Sequence, residues 1–302
     1  MQLQGFPHNT LVVPDLMEYM KAVVARLPKM PLATFGPFAP DAPSRVETFD
    51  LSKPLGSPFP ATSPCLLVNF AVVAPGSMLP TLAEASSELF FVVEGQGTTQ
   101  TQFGTVAWEK GDAFVLPGGK RLEHRAEAGG VLYWVHDAPL LSWLGVKPGE
   151  GRFRPVFMSG RDMHQALERV LKEEGALKRN RNGVIPVHPE FRSTKSLSPV
   201  LWSLINEVPP NHLQKPHRHT SVALDLAVEG AAVSTLVGDA LEKDGALQNA
   251  EAVRWAPGMA FTTPSWLWHA HKNDGDTPGL IFPVQDAGLV AWQRLYKIEF
   301  AP

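Results

Sequence analysis

The chain has 302 residues, 44% of them hydrophobic and 19% charged, with a formal net charge of −3. That composition supports a sizeable core, in one large β domain or two ordinary ones, and without a basic stripe it argues against nucleic acid as a partner. The single Cys65 excludes an internal disulfide framework and a thiolate zinc site and favours a reducing, cytoplasmic setting; no apolar run approaches the roughly eighteen residues of a membrane span, and residues 1–7 lack the pattern of a secretory signal.

In chain order, Pro14 and Asp15 open a segment in which Leu16, Met20, Val23, Val24 and Leu27 recur at helical spacing, which predicts a helix over 13–27. Residues 31–63, rich in Pro, Ala and Ser, read as an extended arm. Short β runs follow at 65–74, 88–94, 97–103, 113–116 and 131–136, separated by turn signals such as Ala-Pro-Gly-Ser and Lys-Gly-Asp. Residues 161–174 carry Met163, Ala166, Leu167, Val170 and Leu171 on one helical face. Residues 175–197 read as a polar, basic connection in which Arg179, Arg181 and Arg192 are solvated, and a second β series runs over 199–300. Cys65 reads as a buried strand residue and His212 as a surface loop residue.

The two β series look like copies of one unit. Phe91-Val-Val-Glu-Gly95 answers Leu226-Ala-Val-Glu-Gly230, and His136-Asp-Ala-Pro-Leu-Leu-Ser-Trp143 answers Gln285-Asp-Ala-Gly-Leu-Val-Ala-Trp292. Such duplication implies two small barrels: an N-terminal helix and arm (1–63), a first barrel (64–158), a helical linker (159–198) and a second barrel (199–302).

Five of the ten histidines fall within residues 212–271. On an extended strand His217 and His219 point the same way, because side chains alternate with period 2. His269, from a later strand, can complete a face of three imidazole ligands, a donor set suited to Fe, Cu, Zn or Ni. His217-Arg-His219 leading to Glu229-Gly230, followed by Pro264, His269 and Asn273, resembles the two motifs of the cupin superfamily. The superfamily's glutamate ligand falls at Ala223 or Leu224, so the resemblance implies three histidines and no carboxylate.

Within that superfamily the chain resembles the bicupin dioxygenases that cleave gentisate, salicylate and 1-hydroxy-2-naphthoate. The likeness is carried by His217-Arg-His-Thr220, Ala223-Leu224 and Thr263-Pro-Ser-Trp-Leu-Trp-His-Ala-His-Lys-Asn273. It implies an all-β bicupin, two double-stranded β-helix (jelly-roll) barrels with a few peripheral helices. It implies Fe(II), one metal per chain, held by His217, His219 and His269, a small-molecule substrate and O2. His271 takes the place of a catalytic histidine that bonds substrate oxygen, and Trp202 and Trp266 those of pocket residues. Relatives assemble through such arms and barrel faces, so the resemblance implies a homodimer or homotetramer.

The chain departs from this pattern at several points. Asp225 stands where an arginine reads the substrate carboxylate, so a carboxylate there is repelled if Asp225 faces the pocket rather than the exterior. Asn206 stands where glutamine is usual, and Trp266 where the superfamily has glycine. The full site lies in the C-terminal barrel rather than the N-terminal one. In the first barrel, aligning the two Glu-Gly turns sets Leu82 and Glu84 opposite the His pair, and aligning Pro117 with Pro264 sets Leu122 opposite His269 and His124 opposite His271, so that barrel is expected to hold no metal. The expected function is a dioxygenase of a hydroxylated aromatic or similar chelating substrate other than gentisate. Two alternatives remain: a Zn-, Mn- or Ni-dependent isomerase or hydrolase with Asp225 or His271 as acid or base, and a non-catalytic binding cupin.

Overall fold

The computed structural model describes residues 12, 14–40 and 43–302 of the chain. Its strands form two barrels. In the first, the order Val156–Met158, Ala113–Pro117, Ser87–Thr101, Gly130–His136, Leu67–Val73, Arg45–Phe49 makes one wall. Ser77–Thr81, Leu122–Ala126 and Gly104–Glu109 make the other. The 15-residue strand Ser87–Thr101 serves both walls and bends at a bulge between Val92 and Glu94. Gly95 follows the bulge at φ +87°, where a Cβ would lie 2.2 Å from the Gly129 carbonyl oxygen, so no side chain fits. The second barrel repeats the device, with a bulge between Ala227 and Glu229 and Gly230 at φ +118°.

One wall of the second barrel runs Thr34–Phe35, Ala260–Thr263, Ala223–Glu229, Gly279–Gln285, Ile205–Val208, Asn182–Val184. The other runs Glu251–Arg254, Val233–Gly238, Trp268–Asn273, His217–His219, Ile298–Phe300. The alternation of strand side chains decides which residues meet. Leu224, Leu226, Phe282 and Val284 turn outward and pack with Leu89, Phe91, Tyr133 and Val135 in a core between the barrels. The Phe91 and Phe282 rings lie 4.6 Å apart, and the Tyr133 hydroxyl donates to the Leu224 carbonyl at 3.0 Å. Their neighbours one residue on, such as Ala227 and Ile281, turn into the second barrel.

The arm ties the barrels together. Thr34–Phe35 pairs with Ala260–Thr263 of the second barrel, while Arg45–Phe49 pairs with Leu67–Val73 of the first. The linker helix spans Gly160–Leu171, capped by Ser159, with Met163 and Leu167 buried in the shared core. The expected N-terminal helix is corrected. Of its span, residue 13 lies outside the described residues, and only Tyr19–Ala22 is helical, with Leu16, Met20, Val24 and Leu27 exposed. A helix draws most of its stability from packing an apolar face, and here that face is exposed among the described residues. Among the described residues, no helix is long and apolar enough to cross a membrane.

Candidate metal centre

The three-residue strand His217–His219 places both imidazoles inside the second barrel and Arg218 outside, where it bonds Glu299 at 2.6 Å. His217 sits directly opposite His269 on the neighbouring strand. The possible ligand nitrogens of His217, His219 and His269 all lie within 4.8 Å of one another, and the three side chains are buried. Their orientation is held from behind. His219 donates Nδ1–H to the Ser221 carbonyl at 2.9 Å, and His269 donates Nδ1–H to the Leu267 carbonyl at 3.0 Å. A carbonyl only accepts, so both rings keep their proton on Nδ1 and their lone pair on Nε2, as metal-binding imidazoles do.

Burial pushes the His219 pKa down to about 4 and holds His217 and His269 well below the ordinary value, with neighbouring imidazoles and the Arg181 guanidinium adding to it. Neutral imidazole is the ligating form, so this donor set fits a divalent transition metal. At the expected carboxylate position Ala223 points inward between Thr263 and Gln285, and among the described residues the clustered donors are three histidines.

Around the triad the barrel interior is polar. Asp225 faces inward, 3% exposed, accepting from the Thr263 hydroxyl at 2.6 Å. Burial raises its pKa to about 7, against the opposing influence of Thr263 and Arg181. Asn206 lies on the same inner face as Val208, and both its Nδ2 and its Oδ1 are buried with no partner among the described residues. Native interiors rarely leave both ends of an amide unpaired. His271 projects beside His269, its Nδ1 2.9 Å from the Thr235 hydroxyl. Trp202, half-buried, pairs with Gln285 at the barrel's rim.

Two expectations are corrected here. The first concerns Arg181, which is not part of a solvated linker. The strand Asn182–Val184 joins the barrel wall, and the guanidinium just before it lies against His217 Nδ1 and donates to the Lys215 carbonyl. Arg179 and Arg192 are exposed, and Arg179 is paired with Glu173. The second concerns Trp266, whose indole lies outside the chamber. The Arg218 guanidinium lies 4.3 Å from its ring centre and 4.5 Å from that of Trp268. Trp266 adopts φ +63°, the left-handed region, which accounts for the superfamily's glycine at this point.

The remaining residues take supporting places. Asn273 pins a turn, donating to the Val208 and Thr277 carbonyls. His212 pairs with Asn273 at a half-exposed edge. Cys65 is half-buried, its thiol pushed up to about 12 by burial and by Asp286 and Asp137. A cavity of about 460 Å³ lined by Lys178, Arg179, Lys215 and Phe300 opens beside His217, whose ring stacks 5.9 Å from Phe300. A groove of about 890 Å³ lies on the first barrel and includes no triad residue.

In the first barrel, Thr81 pairs with Leu122 as His217 pairs with His269. The residues answering the triad are therefore Thr81, Ala83 and Leu122. The turn-based alignment is off by one, because the path from Thr81 to Glu94 is one residue longer than that from His217 to Glu229. Arg181 falls, with Arg179 and Arg192, where the resembling dioxygenases place substrate-reading arginines, but the alignment slips there, so the sequence favours a solvated linker; Thr235 carries no signal of its own.

No protein-family model matches the chain. It is 23% identical over 273 residues to 5-aminosalicylate 1,2-dioxygenase from Comamonas sp, covering 78% of this chain and 69% of that protein. It is 32% identical over 115 residues to gentisate 1,2-dioxygenase from Streptomyces sp, covering 38% of this chain and 29% of that protein. A solved variant of salicylate 1,2-dioxygenase from Pseudoaminobacter salicylatoxidans, in complex with gentisate, superposes with a TM-score of 0.71. That match covers 95% of this chain and 91% of the other at 15% identity. The chain has the two-barrel fold of that salicylate 1,2-dioxygenase and is similar in sequence to 5-aminosalicylate and gentisate 1,2-dioxygenases.

Proposed function

We propose that this protein is a non-haem Fe(II)-dependent ring-cleaving dioxygenase acting on a hydroxylated aromatic or similarly chelating substrate other than gentisate, with one metal per chain. The observation that carries this reading is the set of three buried, neutral imidazoles facing a polar interior in which the Asn206 amide has no partner among the described residues. Bound by His217, His219 and His269, Fe(II) would supply the electron relay between an oxygen-chelating substrate and O2.

The chain's own groups account for binding and orientation. Arg181 attracts the anionic part of the substrate, taking over the positive charge that is missing at position 225. Asp225 disfavours a second carboxylate and accepts from a hydroxyl or amino substituent instead. Asn206 offers one donor and one acceptor, His271 faces substrate oxygen, and Trp202 flanks the ring at the rim. Buried Phe261, Ala227 and Ile281 close the floor against water. The exposed Trp143, Trp292 and Leu295 are consistent with assembly as a homodimer or homotetramer, to be measured by light scattering.

The test is metal analysis of anaerobically purified protein, then an O2-uptake screen over hydroxylated aromatic carboxylates and amines. Iron-loaded protein that consumes no O2 with any of them overturns the reading. A second reading, a zinc-dependent isomerase or hydrolase, draws on the Asp225 carboxyl near 7, a value suited to a general acid or base. Zinc as the native metal, with no O2 uptake, decides for it.

A further inference from the structure

The chamber histidine His271 belongs to a three-residue chain that the molecule contains twice. In the second barrel, Trp255 donates Nε1–H to the Thr235 hydroxyl oxygen at 2.9 Å, and that oxygen lies 2.9 Å from His271 Nδ1. In the first barrel, Trp108 donates Nε1–H to Thr99 Oγ1 at 3.0 Å, and Thr99 Oγ1 lies 2.8 Å from His124 Nδ1. The registers agree, since Thr99 stands opposite His124 as Thr235 stands opposite His271.

Proton positions follow from which groups can only donate. An indole N–H has no acceptor lone pair, so it donates, and the threonine oxygen accepts. Thr235 is fully buried, and its hydroxyl proton has one acceptor within reach among the described residues, His271 Nδ1. Were Nδ1 to carry the proton, the hydroxyl hydrogen would be buried without a partner, which native interiors avoid. His271 therefore accepts at Nδ1 and keeps its proton on Nε2.

The two barrels differ at the other end of the chain. In the first, His124 Nε2 is 2.9 Å from the Thr81 hydroxyl, and Thr81 occupies the place of His217. In the second, His271 Nε2 has no partner among the described residues, and the ring lies 6.3 Å from that of His269. The first barrel thus satisfies internally a donor that the second leaves facing its interior.

We propose that Thr235, fixed by Trp255, is a positioning residue that locks His271 as an Nε2–H donor toward a ligand oxygen in the chamber. This deepens the reading above, on which the identity of that ligand rests, while the proton position does not depend on it. The test uses the full-length, metal-free chain with 15N-labelled histidine. Long-range proton–nitrogen correlation shows which ring nitrogen carries hydrogen, and signals are assigned through His271→Asn and His124→Asn. The expected result is Nε2–H for both histidines.

Thr235→Val, which keeps the side chain's shape without the hydroxyl, should lower the Nε2–H fraction of His271 and leave His124 unchanged, so His124 reports that the fold is intact. Thr235→Ser should restore the wild-type pattern. In iron-loaded protein with an accepted substrate, Thr235→Val should lower kcat about tenfold or more, in the range of general-acid contributions, with metal content unchanged. Protonation of wild-type His271 at Nδ1, or a Thr235→Val spectrum identical to wild type, overturns the proposal. If Thr235→Val fails to fold, the wild-type proton position decides it, with Trp255→Phe, which removes the indole donor together with part of a buried ring. An enzyme inactive on every substrate, with the proton pattern as expected, counts against the dioxygenase reading and leaves the positioning intact.

Discussion

Where the second barrel presents His217, His219 and His269 to its interior, the first presents Thr81, Ala83 and Leu122. Where the second has Asp225 and Pro283, the first has Phe90 and Trp134. Phe90 stacks on Trp134 at 5.6 Å and on Phe114 at 4.9 Å, and these rings fill the first lumen. The fourth-ligand position is reversed as well. Glu88 lies opposite His136 as Ala223 lies opposite Gln285, so the first barrel keeps a carboxylate and no triad, and the second a triad and no carboxylate. One strand plan thus supports either a close-packed support or a polar chamber. The choice rests on a few inward-facing positions, because the walls are held by main-chain pairing that both copies share.

The largest effect should come from removing a triad member. His269→Ala should abolish O2 uptake and bound metal while circular dichroism stays unchanged, a loss greater than the roughly 10–100-fold typical of supporting hydrogen bonds around metal ligands. Retained metal would break the contrast between the barrels. Next, Phe90→Ala should cost about 3–5 kcal/mol in denaturant unfolding, since it opens a cavity under stacked rings. A cost below about 1 kcal/mol would mean that the first lumen is not a packed core.

Glu88 provides a pH test of the same interior. Burial raises its pKa from 4.5 to about 8, with Trp134 Nε1–H, donated to its Oε2 at 2.9 Å, opposing the shift. The folded chain then holds this proton more tightly than the unfolded one. Glu88's contribution to stability is complete below pH 4.5 and is lost as pH rises toward 8, at up to about 1.4 kcal/mol per pH unit. Glu88→Gln should remove that slope in pH-resolved unfolding; an unchanged profile would show the carboxylate ionised. The smallest effect belongs to Trp266→Gly. Relief of the φ +63° backbone, about 1 kcal/mol, offsets the lost stacking on Arg218. Stability should move by no more than about 1 kcal/mol, with metal content unchanged; lost metal would place Trp266 at the chamber after all.

Much of this comparison was legible in the sequence. The His-x-His pair needs only strand alternation to bring both rings to one side, and the repeated Glu-Gly bends announce the duplication. The linker helix was legible from its apolar period, and the structure adds the Ser159 cap. The rest depended on contacts between distant segments. Arg181 lies in a stretch without periodicity and enters the site because the strand after it pairs with Ile205–Val208. Thr235 and Trp255 are ordinary strand residues until both meet His271. Trp266 carried the right residue type for a pocket, yet Arg218, pointing outward between two inward histidines, draws its indole to the outer face.

By itself, the sequence determined the all-β duplicated architecture, through local periodicity and repeated spacing, and its resemblance to the cupin motifs implied three histidines without the superfamily's glutamate ligand. Tertiary structure alone decided that Asp225 faces inward, that Arg181 restores a positive charge near it, and that the arm joins both barrels. Register across a sheet brings together residues far apart in the chain, and a single extra residue between Thr81 and Glu94 is enough to change which side chains meet.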